Sequence, residues 1–363
     1  MQKYKLEHLH KSPLVFGLCG DFLFLLDYFQ ILKPVMNYRQ LGKTGFHISE
    51  ISLGTWQVGG KWGTPFDNKS ADQILHTAID KGINFIDTAD VYEAGLSETA
   101  VGRVVRSRSE RIYVASKCGR FINPHVNEGY TPAALQKYVE DTLQRTGLET
   151  LDLIQLHCPP VEVYYRPEIF ETFDRLKAQG KILNLGVSVE KVEEGLKAIQ
   201  FPNVTTVQII FNLFRQRPAE LFFQEAAKKK VGIIARVPLA SGLLTGKFST
   251  STTFGAEDHR QFNRDGAGFD KGETFSGVDY ATGLKAVDEL KALFPNVENL
   301  APIALKWILR FPEVSCIIPG ASKVEQVHSN LSTFDLPNFT FSQLRGMQDI
   351  YEQYIKKEIH HLW

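Results

Sequence analysis

Short apolar runs rich in β-branched residues recur along the chain, and amphipathic helical patterns separate them. Their apolar content is too continuous for half-solvated antiparallel strands and predicts parallel strands buried on both faces. With helices between them, the strands predict an α/β fold, a (β/α)8 TIM barrel. An open doubly wound sheet is the alternative, but no G-x-G-x-x-G follows the first run. The predicted strands cover residues 48–53, 84–87, 112–116, 153–156, 182–187, 206–210, 232–237 and 315–318.

Helix start and stop signals lie between these runs. Ser70 is placed to cap a helix that ends at Gly82. Thr131, with proline next, is placed to open a helix that ends at Gly147. Further helices are predicted after Pro167 and over residues 190–200, 218–230, 280–294 and 300–311.

Two segments depart from the strand–helix alternation. Residues 38–48 predict a hairpin with a Lys-Thr-Gly turn, placed to plug the bottom of the barrel. Residues 240–279 form a long loop after the seventh strand and contain seven glycines. Loops of this length are usually functional, and the carboxyl ends of barrel strands carry the chemistry. We therefore expect this loop on the active face.

The beginning of the chain predicts an extension outside the barrel. Lysines precede an apolar stretch over residues 14–26, an arrangement that resembles a signal peptide or a short anchor. Asp21 interrupts the stretch, so it lacks the uninterrupted run of about 18 apolar residues that a membrane span needs. We expect Met36 to open a single domain over 36–363. Residues 1–35 are then disordered or the product of an upstream start, with weak membrane association as the alternative.

Composition narrows the classes of function. The 363 residues include 41 Lys and Arg and 41 Asp and Glu, and this balance argues against a nucleic-acid binder. Hydrophobic residues make up 43% and charged residues 23%, as in ordinary globular proteins. No cysteine lies in a C-x-x-C pair, which argues against a disulfide framework and a zinc site and favours a reducing, cytoplasmic location. The cysteines are Cys19, Cys118, Cys158 and Cys316.

Polar residues stand at the ends of three consecutive predicted strands. Asp87 ends the second strand, Lys117 the third and His157 the fourth, and Tyr92 lies on the loop beyond Asp87. Alone, each has a structural explanation: a helix cap, a solvated lysine, a buried histidine or a loop aromatic. Neighbouring strands of a barrel end on the same rim, so these side chains are expected to converge in an active site.

These residue types suit proton transfer to a carbonyl oxygen. A free tyrosine has a pKa of about 10, and a nearby lysine cation is expected to lower the pKa of Tyr92. Asp87 would hold the ammonium group of Lys117, and His157 would hydrogen-bond the substrate carbonyl. No side chain supplies a hydride, so the chemistry implies a nicotinamide cofactor.

Cys118 and Cys158 directly follow Lys117 and His157. Alternate residues of a strand point to opposite sides. If Lys117 and His157 face the site, both cysteines should face the helix layer and be inert packing residues.

Several motifs resemble those of one known superfamily. Residues 85–92, F-I-D-T-A-D-V-Y, followed by G-L-S-E at 95–98, resemble the signature of the aldo-keto reductase superfamily. The resemblance runs from Met36 to about residue 350 and includes L-G-T-W at 53–56 and I-I-P-G at 317–320. It implies a (β/α)8 barrel that binds NADPH, or less often NADH, without a Rossmann motif. The implied roles are Tyr92 as general acid, Lys117 and Asp87 as tuners of its pKa, and His157 as orienter of the carbonyl.

The resemblance also implies where the nicotinamide would lie. Ser188 and Gln208 would hydrogen-bond its carboxamide, although Val189 replaces the asparagine that usually follows the serine. Phe211 stands where the family commonly has a tyrosine that stacks on the ring. Three further residues would line this end: Gly54, Thr55 and Trp56.

The phosphates and the adenine are implied to lie after strands seven and eight. Ser322 and Lys323 open the last helix, whose start is an anion site suited to the 2′-phosphate of NADP. Gln326 and Asn330 would lie near the adenine, and Pro319 and Gly320 precede this helix. Backbone amides and a lysine after strand seven would clamp the pyrophosphate: Pro238, Leu239, Ala240, Gly242, Leu243 and Lys247.

The substrate and the class of function stay open at this stage. Aromatic residues of the rim loops favour apolar carbonyl compounds, whereas arginines favour a carboxylate or phosphate. A small carbonyl is the expected substrate of an NADPH-dependent aldehyde or ketone reductase. The alternatives are a cofactor-sensing subunit resembling potassium-channel β-subunits and a metal-dependent hydrolase, which His157 alone does not support. The loop residues considered are Trp56, Trp62, Phe66, Pro159, Pro160, Tyr164, Tyr165, Arg166, Arg236, His259, Arg260 and Phe262.

Overall fold

A parallel eight-stranded sheet rolled into a barrel forms the centre of the computed structural model, which describes residues 36–60 and 63–363. The chain starts with an antiparallel hairpin and then alternates strands with helices, so the predicted (β/α)8 barrel is confirmed. The expectations for residues 1–35 and for Trp62 lie outside the described residues. The hairpin is β1 (Tyr38–Gln40) and β2 (His47–Ser49); the barrel strands are β3 (Leu53–Gly54), β4 (Phe85–Asp87), β5 (Tyr113–Cys118), β6 (Leu151–His157), β7 (Ile182–Val189), β8 (Val204–Ile210), β9 (Gly232–Arg236) and β10 (Val314–Ile317).

The barrel closes between its first and last strands. The amide of Ser52 donates to the carbonyl of Ile317 at 2.9 Å, and that of Gly54 donates to the carbonyl of Pro319 at 3.1 Å. A parallel bridge also joins Gly54 to Gly320. These bonds satisfy the edges of β3 and β10 at the rim where the site is expected.

Helices follow the strands and cover the barrel. Thr131 caps α3 through its side chain, and Gly147 ends that helix with a φ of 66°, both as predicted. The cap of α1 is Asp67, which accepts from the amide of Lys69 at 2.9 Å, so the prediction of Ser70 is wrong. The helices are α1 (Asn68–Asp80), α2 (Leu96–Arg106), α3 (Pro132–Thr146), α4 (Pro167–Ala178), α5 (Val192–Ala198), α6 (Phe222–Lys228), α7 (His259–Phe262), α8 (Tyr280–Leu293), α9 (Ala301–Leu309), α10 (Val324–Leu331), α11 (Phe341–Ile350) and α12 (Lys356–Ile359), with a π-helical turn (Tyr351–Ile355) before α12.

The hairpin fills the amino-terminal end of the barrel. Leu41, Phe46 and Ile48 are buried with Phe85, Ile234 and other inward-facing strand residues in a cluster separate from the outer core. The predicted plug is therefore present. The predicted first strand, 48–53, is wrong in its extent, because its beginning pairs within the hairpin and only its end joins the barrel.

The segment from Ala240 to Asp279 is ordered by short helical turns rather than by long elements. The hydroxyl of Ser241 accepts from the amide of Phe275 at 3.1 Å and donates to the carbonyl of Glu273 at 3.0 Å. Glu273 in turn reaches Arg236 at the carboxyl end of β9. The segment thus lies on the face where the predicted catalytic residues emerge. Within the described part of the chain, no helix is long and apolar enough to cross a membrane.

Candidate active site

Lys117 joins two of the predicted catalytic residues. Its side chain is 1% exposed, and its ammonium group pairs with the carboxylate of Asp87. The same group lies 3.0 Å from the hydroxyl of Tyr92 and donates to the carbonyl of Thr88 at 2.9 Å. All three ammonium protons therefore have partners. The parallel pairing of β4 with β5 places these side chains together.

The second oxygen of Asp87 is held by two glutamines. Gln155 donates to it at 3.1 Å and Gln208 at 2.8 Å. Gln155 is not among the predicted residues, although its position two before His157 puts it on the same face of β6. Gln208, predicted to contact a carboxamide, here fixes the carboxylate that holds Lys117.

His157 lies beside Tyr92 at the end of β6. The two rings are perpendicular, with an interplanar angle of 86° and centroids 6.2 Å apart. His157 is 8% exposed, and its Nδ1 has no hydrogen-bond partner among the residues that the structure describes. The structure thus brings all four predicted catalytic residues together.

The shifts in pKa of Tyr92, Lys117 and His157 determine which of these groups carry a charge. Burial raises the pKa of Tyr92 above 10.0; Lys117 opposes this rise, as expected, but does not reverse it. Burial alone would lower the pKa of Lys117, but the Asp87 carboxylate and Tyr92 raise it above 10.5. Burial and nearby cations hold the pKa of His157 well below 6.5. Near neutral pH the site contains a protonated phenol, a lysine cation and a neutral imidazole.

A cavity of about 530 Å³ lies at this rim and reaches Cys158, the neighbour of His157. Arg236 forms an ion pair with Glu190 at 2.8 Å and lies 3.6 Å from Glu273. Arg120 lies 3.9 Å from Glu190 and 3.7 Å from Glu273. Arg120 was not predicted as a site residue, although its position three residues after Lys117 is a weak sequence signal that it lies at the rim. Nothing in the sequence indicated that it would pair with Glu273. The cavity is lined by Arg120, Phe121, Ile122, Asn123, His125, Cys158, Glu190, Gly268, Phe269 and Asp270.

Cys158 departs from its predicted packing role, whereas Cys118 keeps it. Cys118 is fully buried, and burial raises its pKa well above 9.0. Cys158 has a φ of 46°, which breaks the strand alternation and turns its side chain into the cavity wall. Its thiol donates to the hydroxyl of Ser188 at 3.5 Å and lies 3.6 Å from Arg236. Burial nevertheless keeps the pKa of this thiol above 9.0, so it is not a thiolate.

The residues predicted around the nicotinamide are only partly brought to the rim. Trp56 stacks on Tyr92 with centroids 5.9 Å apart, and the hydroxyl of Thr55 donates to the carbonyl of Asp87 at 3.0 Å. A side chain at Gly54 would approach the carbonyl of Ile318 at 2.8 Å. Phe211, by contrast, is fully buried in the helix layer, and the structure does not bring it to the cleft. Its ring packs against Phe223, Trp307 and Phe311 at 4.7, 5.3 and 4.9 Å.

The segment after β9 is strongly bent. Val237, Ala240 and Ser241 have φ values of 50°, 47° and 55°, and Gly242 has 92°. Such alternating backbone conformations form concave nests of amides that suit anions. Lys247 is exposed beyond the bend. The other predicted clamp residues, Pro238, Leu239 and Leu243, belong to the same bend.

The start of α10 has a local hydrogen-bond arrangement. The side chain of Gln326 accepts from the amide of Ser322 at 2.7 Å and lies 3.2 Å from its hydroxyl. Lys323 precedes the first turn and is exposed. Asn330 is buried and lies 3.5 Å from the carbonyl of Gly320. Pro319 is buried between β10 and Gly320.

Some rim residues expected to shape the pocket serve other contacts. Tyr164 is fully buried in the outer core. Arg166 binds Asn127 and Glu168, and Arg260 pairs with Asp258 at 2.6 Å. These two arginines are therefore bonded to residues of the protein itself.

Three possible metal ligands converge beside the cavity. Cys158, Glu190 and Glu273 place one ligand atom each within 4.8 Å of one another. Arg236 and Arg120 already lie within 4 Å of both carboxylates. The positive charges of these two arginines oppose the binding of a metal ion at this site.

Comparisons with known proteins agree with this geometry. A model of the aldo/keto reductase family matches residues 50–352. An aldo-keto reductase of Bacillus subtilis is 30% identical over 303 residues, covering 81% of this chain and 87% of its own. The NADH-specific methylglyoxal reductase of Escherichia coli is 26% identical over 316 residues, covering 82% and 93%. The solved structure of a glycerol dehydrogenase from Gluconobacter oxydans superposes with a TM-score of 0.71 at 30% identity, covering 89% and 96%.

Proposed function

The chain belongs to the aldo-keto reductase family of oxidoreductases, and on that premise we propose that it reduces aldehydes or ketones to alcohols with NADPH, using Tyr92 as the proton donor. The observation that carries the proposal is the contact of one buried ammonium group with both Asp87 and Tyr92. A lysine cation held in this way stabilises the phenolate that remains after Tyr92 gives up its proton.

Each of the site's side chains has a separate role in the proposed reaction. When bound, the nicotinamide supplies a hydride to the carbonyl carbon. Tyr92 donates its phenolic proton to the carbonyl oxygen, so that the carbonyl becomes an alcohol. Neutral His157 orients that oxygen by a hydrogen bond, and Lys117 stays protonated throughout because Asp87 keeps its pKa high.

Several features fit a dinucleotide on this rim. The backbone bend at 237–242 suits a pyrophosphate, with Lys247 near it. Gly320 has no atom within 3.8 Å of an added side chain, which leaves room beside the start of α10. Ser188 of β7 pairs with Gln208 of β8, and both residues would hold the carboxamide, Gln208 through its amide oxygen because its amide nitrogen is held by Asp87. Trp56 would border the nicotinamide beside Tyr92.

We assign the preference for NADPH over NADH to Ser322 and Lys323. Replacing Lys323 by alanine removes the cation near the 2′-phosphate, and we expect the Kd for NADPH to rise about tenfold while that for NADH changes less than twofold. Both constants are measured by fluorescence titration, with Lys285→Ala, an exposed lysine of α8, as the matched control. An equal loss of affinity for NADPH and for NADH would contradict this assignment. The comparison matters because one relative is named as an NADH-specific reductase.

A panel of carbonyl compounds tests the function itself. We expect oxidation of NADPH in the presence of small aldehydes, hydroxyaldehydes or dicarbonyl compounds, followed spectrophotometrically. Tight binding of NADPH without reduction of any member of the panel would contradict the reductase function and favour a cofactor-sensing role.

A further inference from the structure

Trp363 follows α12 and is buried against the segment 269–277. The side chain is 6% exposed. Its indole N–H donates to the carboxylate of Asp270 at 2.9 Å. On the ring face, the guanidinium carbon of Arg215 lies 3.9 Å from the centroid, at the distance of a cation–π contact.

Two glycines let the indole ring lie directly on the backbone of this segment. A Cβ atom at Gly272 would lie 2.9 Å from the ring, and one at Gly277 would overlap it. Asp270, which accepts from Trp363, also accepts from the amide of Gly272 at 2.7 Å. Arg215 donates to the carbonyl of Ser276 at 3.2 Å. Trp363 and Arg215 therefore hold the segment at both ends.

The same segment supplies one wall of the cavity at the rim of the catalytic residues. Phe269 and Asp270 line that cavity. Phe269 also contacts Trp56, with centroids 6.1 Å apart, and Trp56 stacks on Tyr92. Glu273 carries the ion pairs to Arg236 and Arg120. A displacement of the segment 269–277 would move the cavity wall. It would also move the carboxylate of Glu273 away from Arg236 and Arg120.

The end of the chain has anchors that do not involve the indole. His360 bonds to the hydroxyl of Tyr351 at 2.5 Å and to Glu220 at 3.0 Å. Ile355 and Ile359 are buried in the outer core. Removal of the indole should therefore loosen the segment around Asp270 while α12 stays docked.

We propose that Trp363 is a positioning residue for the active site: it fixes the segment 269–277, so that Phe269 and Asp270 complete the substrate cavity. The kinetic part of this proposal rests on the proposed reductase function, whereas the structural part does not.

Hydrogen exchange of the full-length protein tests the structural part without any substrate. In Trp363→Ala, we expect exchange of peptides covering 264–279 to rise at least about tenfold, with β8 and α12 unchanged, because local opening needs only local contacts to be lost. Leu362→Ala, a neighbouring side chain that is 43% exposed, is the matched control and should match the wild type. Unchanged protection of 264–279 would overturn the proposal.

Steady-state kinetics test the positioning role. For Trp363→Ala, we expect KM for the carbonyl substrate to rise about tenfold while kcat changes less than about threefold, because the cavity wall is displaced and the catalytic residues stay in place. Trp363→Phe keeps a ring on Arg215 and should recover part of the loss. Gly272→Ala places a methyl group against Arg215, Asp270 and the same ring together, and should reproduce the effect with Trp363 intact.

The outcomes separate the two claims. Raised exchange with an unchanged KM would overturn the positioning role and leave Trp363 as a packing residue. A wild-type protein that reduces no carbonyl compound would refute the proposed function, and the exchange experiment would still decide whether Trp363 holds the segment.

Discussion

Tyr92 is subject to two opposing effects on its pKa. Burial favours the neutral phenol, and Lys117 favours the phenolate; burial is the larger effect in this structure. A protonated Tyr92 suits the proposed reduction, in which the phenol keeps its proton until it donates it to the carbonyl oxygen. The residue types predicted that Lys117 lowers the pKa of Tyr92, but the net direction of the shift depends on how completely the fold excludes water, which a sequence does not show.

Asp90 is another buried carboxylate close to this site. Within the described residues, neither carboxylate oxygen of Asp90 has a hydrogen-bond partner. Burial and the charge of Glu98 raise its pKa to about 7, against smaller effects of the Val91 amide, Arg145 and Lys117. Because the folded state binds this proton more tightly than the unfolded chain, the contribution to stability falls as pH rises from about 4 to 7.

Asp90→Asn should remove this pH dependence. Relative to the wild type, the variant should gain about 2–3 kcal/mol in the free energy of unfolding between pH 5 and pH 8, since one pKa unit corresponds to about 1.4 kcal/mol. Urea unfolding at both pH values measures the difference, with the exposed Asp265→Asn as control. A constant difference between variant and wild type across this range would contradict the raised pKa.

Whole elements were predicted well where the apolar pattern alone determines them. The strands β4 to β10 all coincide with apolar runs, because both faces of a parallel barrel strand are buried. The prediction failed where tertiary contacts decide. The run at 48–53 is split between hairpin and barrel, Phe211 turns to the helix layer, and the positive φ of Cys158 reverses its side chain.

The hairpin is an element whose role is stability rather than chemistry. Leu41 is fully buried at the amino-terminal end of the barrel, and Leu41→Ala should lower the free energy of unfolding by about 2–4 kcal/mol. The Kd for NADPH should stay within twofold, because the predicted catalytic and cofactor-binding residues lie at the opposite ends of the strands. Chemical denaturation and cofactor titration measure the two quantities.

The exposed His47→Ala in the same hairpin is the control and should change stability by less than about 0.5 kcal/mol. A large loss of cofactor affinity in Leu41→Ala would show that the two ends of the barrel are not independent.

At the scale of the whole molecule, the residues that the proposed reaction needs lie at one rim of the barrel. The strand ends bring Asp87, Lys117 and His157 together, and the loop after β4 adds Tyr92. The segment after β9 adds the backbone bend and Glu273, and Trp363 packs on that segment from the other end of the chain. The strand ends could be predicted from the sequence. The contact of residue 363 with residue 270 could not, because nothing local in either segment signals it.

The central claim is that Tyr92 gives the proton in a nicotinamide-dependent carbonyl reduction. Its most direct test is the rate of NADPH oxidation by Tyr92→Phe beside the wild type, with the Kd for NADPH measured on both proteins. We predict that kcat falls by at least about a hundredfold, the usual contribution of a positioned general acid, while the Kd changes less than about twofold. A variant that keeps its rate, or that loses its rate only through loss of cofactor binding, would contradict the claim.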